Sequence, residues 1–473
     1  MAADRSGDMI PGMADAERAV SWWLETCGDD LTPRPPLDGS TTADVAILGA
    51  GYTGLWTALS LLERDPTLRV VLVEKEIAGW GASGRNGGWL SPEISVSHTE
   101  MIARHGRDAT RATHEAMIDT ITEVERAVER HGIDAHLDRH GMLMLARGGH
   151  QMKTLRHIHD EMGELGDPEF YQWLEPGEAA ELVKVDNTWA ALFAEPFAAV
   201  HPGRLVRGLA RAVERLGATI HEGTAVTGYD LQPRPVLHTT GGDLSADVIV
   251  LAGEAYLSQL DGHEREILPI YSQIMLTAPL TEAQRDEIGW HRRFVMQSKR
   301  LTIDYLQITR DARIAFGGRG SLYHWGSDIQ PEWDCTEATA ASLRRQFEDF
   351  FPTLKDVPFE RCWGGVVGIH RDWMPSFSFD RSTGLAKAGG YAGEGVAAAN
   401  LAGRILADLI TGGGTPLCEL PMVQHEPRKW EPEPLRWLAV RHIQKAAARL
   451  EEKAVRTGKA PSGRSIAERL MSH

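Results

Sequence analysis

The chain has 473 residues, more than one ordinary hydrophobic core holds, which predicts two or three domains. Hydrophobic residues make up 42% and charged residues 25%, the balance of a globular protein, and a formal net charge of −16 disfavours a nucleic-acid partner, whose phosphates require a basic face. Cys27, Cys335, Cys362 and Cys418 are scattered with no CxxC pair, so neither a zinc site nor a disulfide framework is expected.

An N-terminal arm, residues 1–43, opens the chain. Its first twenty positions lack the apolar core of a secretory signal, which leads to the expectation of a cytoplasmic protein. "SWWLETC" then sets Trp22 beside Trp23; packing onto the main body is the expected role, and lining a substrate entrance the alternative. "VAILGAGYTGLWTAL" (45–59) reads as strand, glycine turn and helix, and "RVVLVEKE" (69–76) as a second strand, the opening βαβ unit of a Rossmann-type domain. Residues 100–131 and "LRHIHDEMGEL" (155–165) read as helices, and "GMLMLA" (141–146) as a strand. A long helix follows from 201, then a strand after Gly217. "ADVIVLAGEAYLSQL" (246–260) is a buried strand running into a tight Ala252-Gly253 turn. From about 267 to 318 the pattern alternates as in a mixed or antiparallel sheet. "EATAASLRRQFEDFFPTL" (337–354) reads as a helix that ends before Pro352, and glycines return at 389–414. The basic tail from Arg428 to His473 carries an amphipathic helix near 435–455, expected to be a solvated packing helix rather than a membrane anchor. No apolar run approaches the ~20 residues of a membrane span.

Each glycine of Gly49-Ala50-Gly51-Tyr52-Thr53-Gly54 has its own task. Gly49 permits the turn, Gly51 lets the backbone approach a pyrophosphate, and Gly54 lets the helix pack on the strand. The helix N-terminus offers N–H groups and partial positive charge to phosphates. Glu74 and Lys75 close the second strand, with Glu74 twenty residues beyond Gly54. An acid there accepts hydrogen bonds from an adenosine ribose and repels a 2′-phosphate, which disfavours NADP. "GWGASGRNGGW" (79–89) then supplies Gly81, Ala82, Ser83, Arg85, Asn86, Gly87 and Gly88, small residues and donors able to wrap a pyrophosphate and reach a flavin. A nicotinamide dehydrogenase has no use for that loop.

Taken with the Ala252-Gly253 turn and "GGYAGEGVAAANLAGRILADLI", these motifs resemble the D-amino-acid oxidase (DAO) family of FAD-dependent oxidoreductases over roughly 44–413, and its γ-glutamylputrescine oxidase-like branch in particular. The resemblance implies an α/β fold with a Rossmann-type FAD-binding domain and an α+β substrate domain on a mixed β-sheet, as in glycine oxidase and sarcosine oxidase. It implies an FAD-binding domain at 44–100, 200–260 and 360–415, a substrate domain at 101–199 and 261–359, and a helical extension at 416–473. Non-covalent FAD is expected, with the Val226 backbone at the adenine, Ala252 and Gly253 beside the pyrophosphate, and Gly364 approaching the ring. Gly390, Gly393, Glu394, Gly395 and Val396 match the loop that opens a helix under the isoalloxazine, where N–H groups stabilise reduced flavin.

The implied reaction oxidises a C–N bond in a small polar amine or amino acid by hydride transfer to flavin N5, and the imine then hydrolyses. O2 is the expected acceptor, giving H2O2. A dehydrogenase passing electrons to a quinone or carrier, and a non-catalytic flavoprotein partner, are the alternatives. No metal is expected. Several family members grip a substrate carboxylate with an arginine in the region of "CWGGVVGIHRDWMPSF"; this stretch departs from that pattern, and His370 and Arg371 are its nearest charged groups. His370, Tyr305, Gln307 and Arg319 are the substrate-pocket candidates, with Tyr305 and Gln307 on one strand face. Cys362 raises covalent flavin attachment, but "GASGRNGG" holds no histidine and the spacing to Asp372 is long, which favours non-covalent FAD.

Overall fold

Three short runs of branched apolar residues, Val45–Leu48, Val70–Val73 and Val248–Leu251, have the composition of parallel strands covered by helices on both faces. In the computed structural model, which describes residues 21–461 apart from 167, they pair in parallel at the centre of a six-stranded sheet. Leu385–Gly389 and Ser376–Asp380 extend it beyond Val248–Leu251, and Thr219–His221 closes the other edge. Helix Tyr52–Arg64 leaves the first strand through the glycine turn and packs on helix Gly395–Thr411, burying a shared apolar cluster with Leu55, Trp56 and Leu401. The expectation of no leader in the first twenty residues lies outside the described residues.

The alternating region builds the second layer. Eight strands form a mixed sheet in which Phe359–Ile369, Leu268–Thr277, Ile314–Arg319 and Asp304–Ile308 run antiparallel to their neighbours, followed by Val295–Ser298 and Met142–Arg147. One face is sealed by helix Glu337–Phe350 through Leu343, Phe347 and Phe350. The other faces the 81–88 loop. This is the two-layer α/β arrangement the family resemblance implied. Two stretches sit differently from the domain limits drawn on the sequence. Phe359–Ile369 pairs along Leu268–Thr277, so residues 360–369 belong to the large sheet. Helix Arg107–Arg130 packs on Gly395–Thr411, on the nucleotide-binding side. Strand pairing and helix packing between distant segments decide both.

Trp22 and Trp23 are buried, with ring centroids 5.0 Å apart, and Trp23 meets Trp363 edge-on at 5.9 Å, which bears out the packing role. The cysteine expectation is corrected: Cys335 and Cys362 form a disulfide, their Cα atoms 6.2 Å apart. Twenty-seven positions separate them, and only the folding of the 320–336 loop back onto Phe359–Ile369 makes them neighbours. Cys27 and Cys418 remain free. No helix among the described residues is long and apolar enough to cross a membrane.

Candidate functional site

The Gly49 N–H donates to the Val73 carbonyl at 2.9 Å, which brings the turn beside the end of the second strand. Gly49 takes φ +98°, a region that favours glycine, and a Cβ there would lie 2.9 Å from the Ala252 carbonyl oxygen. At Gly54 a Cβ would fall 2.0 Å from the Gly49 oxygen, so a side chain would push the helix off the strand. The helix N-terminus therefore stands against Glu74 and the 81–88 loop. The Ala50 N–H donates to Glu74 Oε2 at 2.9 Å, and the Tyr52 N–H to Ser83 Oγ at 2.8 Å. Burial pushes the Glu74 carboxyl up in pKa, against the N–H groups of Ala50 and Glu76 that favour its anion. The Thr224 N–H donates to the Glu74 carbonyl at 2.8 Å and carries the strand beginning at Val226 alongside. Lys75 turns its ammonium to solvent near Glu76.

The 81–88 loop is held from three sides. Ser21 Oγ donates to the Gly84 carbonyl, and Trp23 Nε1 to the Asn86 carbonyl at 2.9 Å. Arg85 donates to the Gly364 carbonyl at 3.0 Å and pairs with Asp334 at 3.1 Å, while Trp363 Nε1 donates to the Arg85 carbonyl at 3.0 Å. Burial pushes Asp334 up to about 6 against the pull of Arg85. Asn86 closes the loop on itself, donating to the Ala82 and Ser83 carbonyls and accepting from the Gly88 N–H at 2.8 Å. In this structure the side chains of Arg85 and Asn86 brace the loop and leave its backbone to face the turn. Nothing about a lone arginine or asparagine in a glycine loop distinguishes bracing from ligand contact.

The second glycine loop leads into helix Gly395–Thr411, with Glu394 at its N-cap. Tyr391 there bonds Thr53 Oγ1 at 2.8 Å, tying this loop to the first one. Glu254, directly after the Ala252-Gly253 turn and at φ +47°, was not singled out from the sequence. Its carboxyl accepts the N–H groups of Ala255, of Gly368 at 2.8 Å and of Tyr391 at 3.4 Å, and burial pushes it up to about 6.

Strand register sorts the substrate candidates. Tyr305 lies opposite Gly317 and Ser272 opposite Arg319, so Tyr305, Ser272 and Arg319 share the sheet face toward the 81–88 loop. The Tyr305 ring fills the space beside Gly87 and Gly317, and its hydroxyl bonds Ser272 Oγ at 2.7 Å. Arg319 is open to solvent and has no hydrogen-bond or ion-pair partner among the described residues, yet the surrounding protein lowers its pKa by desolvation. Gln307 shares the face but is spent on structure, donating to the Gly87 carbonyl at 2.7 Å and accepting from Arg293 at 3.3 Å. His370 is buried, with Nδ1 bonded to the Met374 carbonyl at 2.8 Å and its ring against Gly390. Arg371 pairs with Glu431 at 3.2 Å, and Asp372 with His425 at 2.7 Å.

Two charged groups that belong to no sequence motif, Glu93 and Lys299, stand near Glu394, and all three are half-buried. Burial pushes Glu394 up to about 7; the Glu93 charge adds to the shift, while a hydrogen bond from Ser91 and the Lys299 charge oppose it. Ser95 Oγ donates to the Tyr391 carbonyl at 2.9 Å, which holds the 91–95 segment along the second glycine loop. A glycine turn with no room for a side chain, a helix N-terminus facing a pinned carboxylate and a second glycine-opened helix fit an extended dinucleotide such as FAD.

A model of the family described as "DAO: FAD dependent oxidoreductase" matches residues 44–409. Gamma-glutamylputrescine oxidoreductase of Escherichia coli K12 is 29% identical over 398 residues, 83% of this chain and 89% of that protein. Glycine oxidase of Geobacillus kaustophilus is 27% identical over 383 residues, 78% of this chain and 92% of its own length. The crystal structure of that glycine oxidase superposes with a TM-score of 0.66 at 23% identity, covering 81% of this chain and 99% of its own. L-amino acid deaminase from Proteus myxofaciens superposes at 0.68 with 16% identity, over 84% and 96% of the two chains. At those identities the superpositions show a shared fold.

Proposed function

Since the chain belongs to the DAO family of FAD-dependent oxidoreductases, we propose that it oxidises a C–N bond in a small polar amine or amino acid. When bound, FAD supplies the two-electron acceptor for the hydride that leaves the carbon beside nitrogen. Glu74 accepts the ribose hydroxyls, and the N-terminus of Tyr52–Arg64 faces the pyrophosphate. The backbone from Gly390 to Val396, with the N-terminal end of its helix, offers donors to the ring. Arg319 holds the polar end of the substrate against the Tyr305–Ser272 pair. Glu394 and Glu93 attract the substrate ammonium, and Glu394 takes its proton. That frees the nitrogen lone pair, which must be available as the hydride departs. Water hydrolyses the resulting imine. The observation that carries this reading is the Arg319 guanidinium, without a partner among the described residues, on the sheet face it shares with Tyr305 and Ser272.

Anaerobic mixing of the holoenzyme with a panel of amines and amino acids tests it: at least one must bleach the flavin's visible absorbance. A protein whose absorbance no amine changes is not an amine oxidoreductase. We assign O2 as acceptor, and H2O2 formation under air during turnover separates this from transfer to a quinone or carrier.

We also assign non-covalent attachment, because the Cys362 sulfur is engaged with Cys335 and has no thiolate to offer the ring. Acid precipitation is expected to leave a white pellet under a yellow supernatant; a yellow pellet overturns the assignment.

With Glu394 raised to about 7, its carboxyl is neutral below that pH and anionic above it. An anion binds ammonium and a neutral acid does not, so KM for a cationic amine is expected to fall as pH rises through about 7. Glu394→Gln should flatten that limb of the KM profile.

A further inference from the structure

Among the described residues, eight large apolar side chains keep 37% or more of their surface exposed, and seven of them gather around one helix, Leu435–Thr457. Leu435, Leu438 and Val455 belong to the helix itself. The Trp325 ring lies 6.1 Å from that of Trp437. The Leu301 N–H donates to Glu451 Oε2 at 2.7 Å, with Ile303 in the same loop, and Trp189 sits over Gly149 where it meets Gly458. Burial of apolar surface is the rule elsewhere in this molecule; here Leu435 and Leu438 face outward from the helix, while Val455 and Trp437, which meets Trp325, lie about 120° around it, so the exposed apolar surface wraps its flank.

The inner face of the helix is already engaged. Arg436 donates to the Glu264 carbonyl at 2.6 Å, Val440 joins an apolar cluster with Trp430, and Glu451 pairs with Arg300 at 3.4 Å. At about 100° per residue, Leu435, Leu438, His442, Lys445, Arg449 and Lys453 fall on the opposite, outward stripe, which Glu452 borders. Residues 436–459 carry seven Lys or Arg against two Glu in a chain of net charge −16. The helix also lies beyond residue 409, where the family match ends, so the shared chemistry does not require it.

We propose that the outward face of the C-terminal helix, with the Trp325 and Leu301 loops beside it, docks this protein on an anionic phospholipid surface. Leucine and tryptophan enter the acyl boundary, and the Lys445–Arg449–Lys453 row meets the headgroups. The inference goes beyond the catalytic reading and does not rest on it.

The test is sedimentation of the full-length holoprotein with vesicles of phosphatidylglycerol and phosphatidylcholine, against pure phosphatidylcholine vesicles. Binding to the anionic vesicles is expected at low salt, with release at high salt. Lys445→Glu/Arg449→Glu/Lys453→Glu should weaken partitioning on the order of a hundredfold. Trp325→Ser/Leu435→Ser/Leu438→Ser should weaken it about tenfold or more. Flavin absorbance and melting temperature should match the parent in both variants. Equal binding to both vesicle types, no binding to either, or variants that bind like the parent overturn the proposal. So does self-association that these variants abolish without any vesicle binding, which would give the face to a second copy of the chain.

Discussion

Protein carrying Glu74→Ala is expected to purify nearly colourless. The carboxylate holds the Ala50 and Glu76 N–H groups at 2.9 and 3.1 Å, and both lose their acceptor on truncation. Each stranded N–H costs about 1–3 kcal/mol, and the ribose hydroxyls lose their partner as well. FAD affinity should therefore fall roughly a hundred- to a thousandfold. Flavin fluorescence titration of the stripped protein measures it. A dissociation constant within threefold of the parent would remove Glu74 from the nucleotide site. Glu74→Gln, which keeps an acceptor oxygen, should lose less.

Arg319→Met is expected to lower kcat/KM about a hundred- to a thousandfold while flavin content and melting temperature hold. The asymmetry follows from the structure. The guanidinium has no protein partner among the described residues, so its removal strands nothing inside the fold. The loss appears only when a substrate arrives. Lysine at 319 keeps the charge but not the planar fork and should recover part of the activity. Steady-state kinetics decide the matter, and a Met variant within threefold of the parent would take Arg319 out of the substrate site.

The glycine turn and the acid that faces it were legible because their constraints are local. Turn, helix and acidic strand end fall between Val45 and Glu74, and each glycine answers a contact a few residues away. The packing of Trp22 and Trp23 was also legible, from size and apolarity, but their purchase on the 81–88 loop was not. Period-2 alternation put Tyr305 and Gln307 on one face without saying which was free. Gln307 turned out to be engaged with Gly87 and Arg293, and His370 with Met374. Glu93, Glu254 and Lys299 left no signal, because a single acid or lysine outside a motif resembles any surface charge.

From residue order alone came the two-domain α/β architecture, the dinucleotide turn, the acid against a 2′-phosphate and the flavin family. The turn and the acid depend on spacing along a strand or a helix, which backbone geometry converts into position directly, while the two-domain fold and the flavin family came from the family resemblance that these motifs carry. Tertiary structure decided the disulfide between Cys335 and Cys362, the bracing of Arg85 by Asp334, the solitary Arg319 and the exposed basic stripe of the C-terminal helix. Those depend on which distant segments meet and which side chains are left without a partner. Burial and pairing are properties of the assembled surfaces, and no interval between residues encodes them.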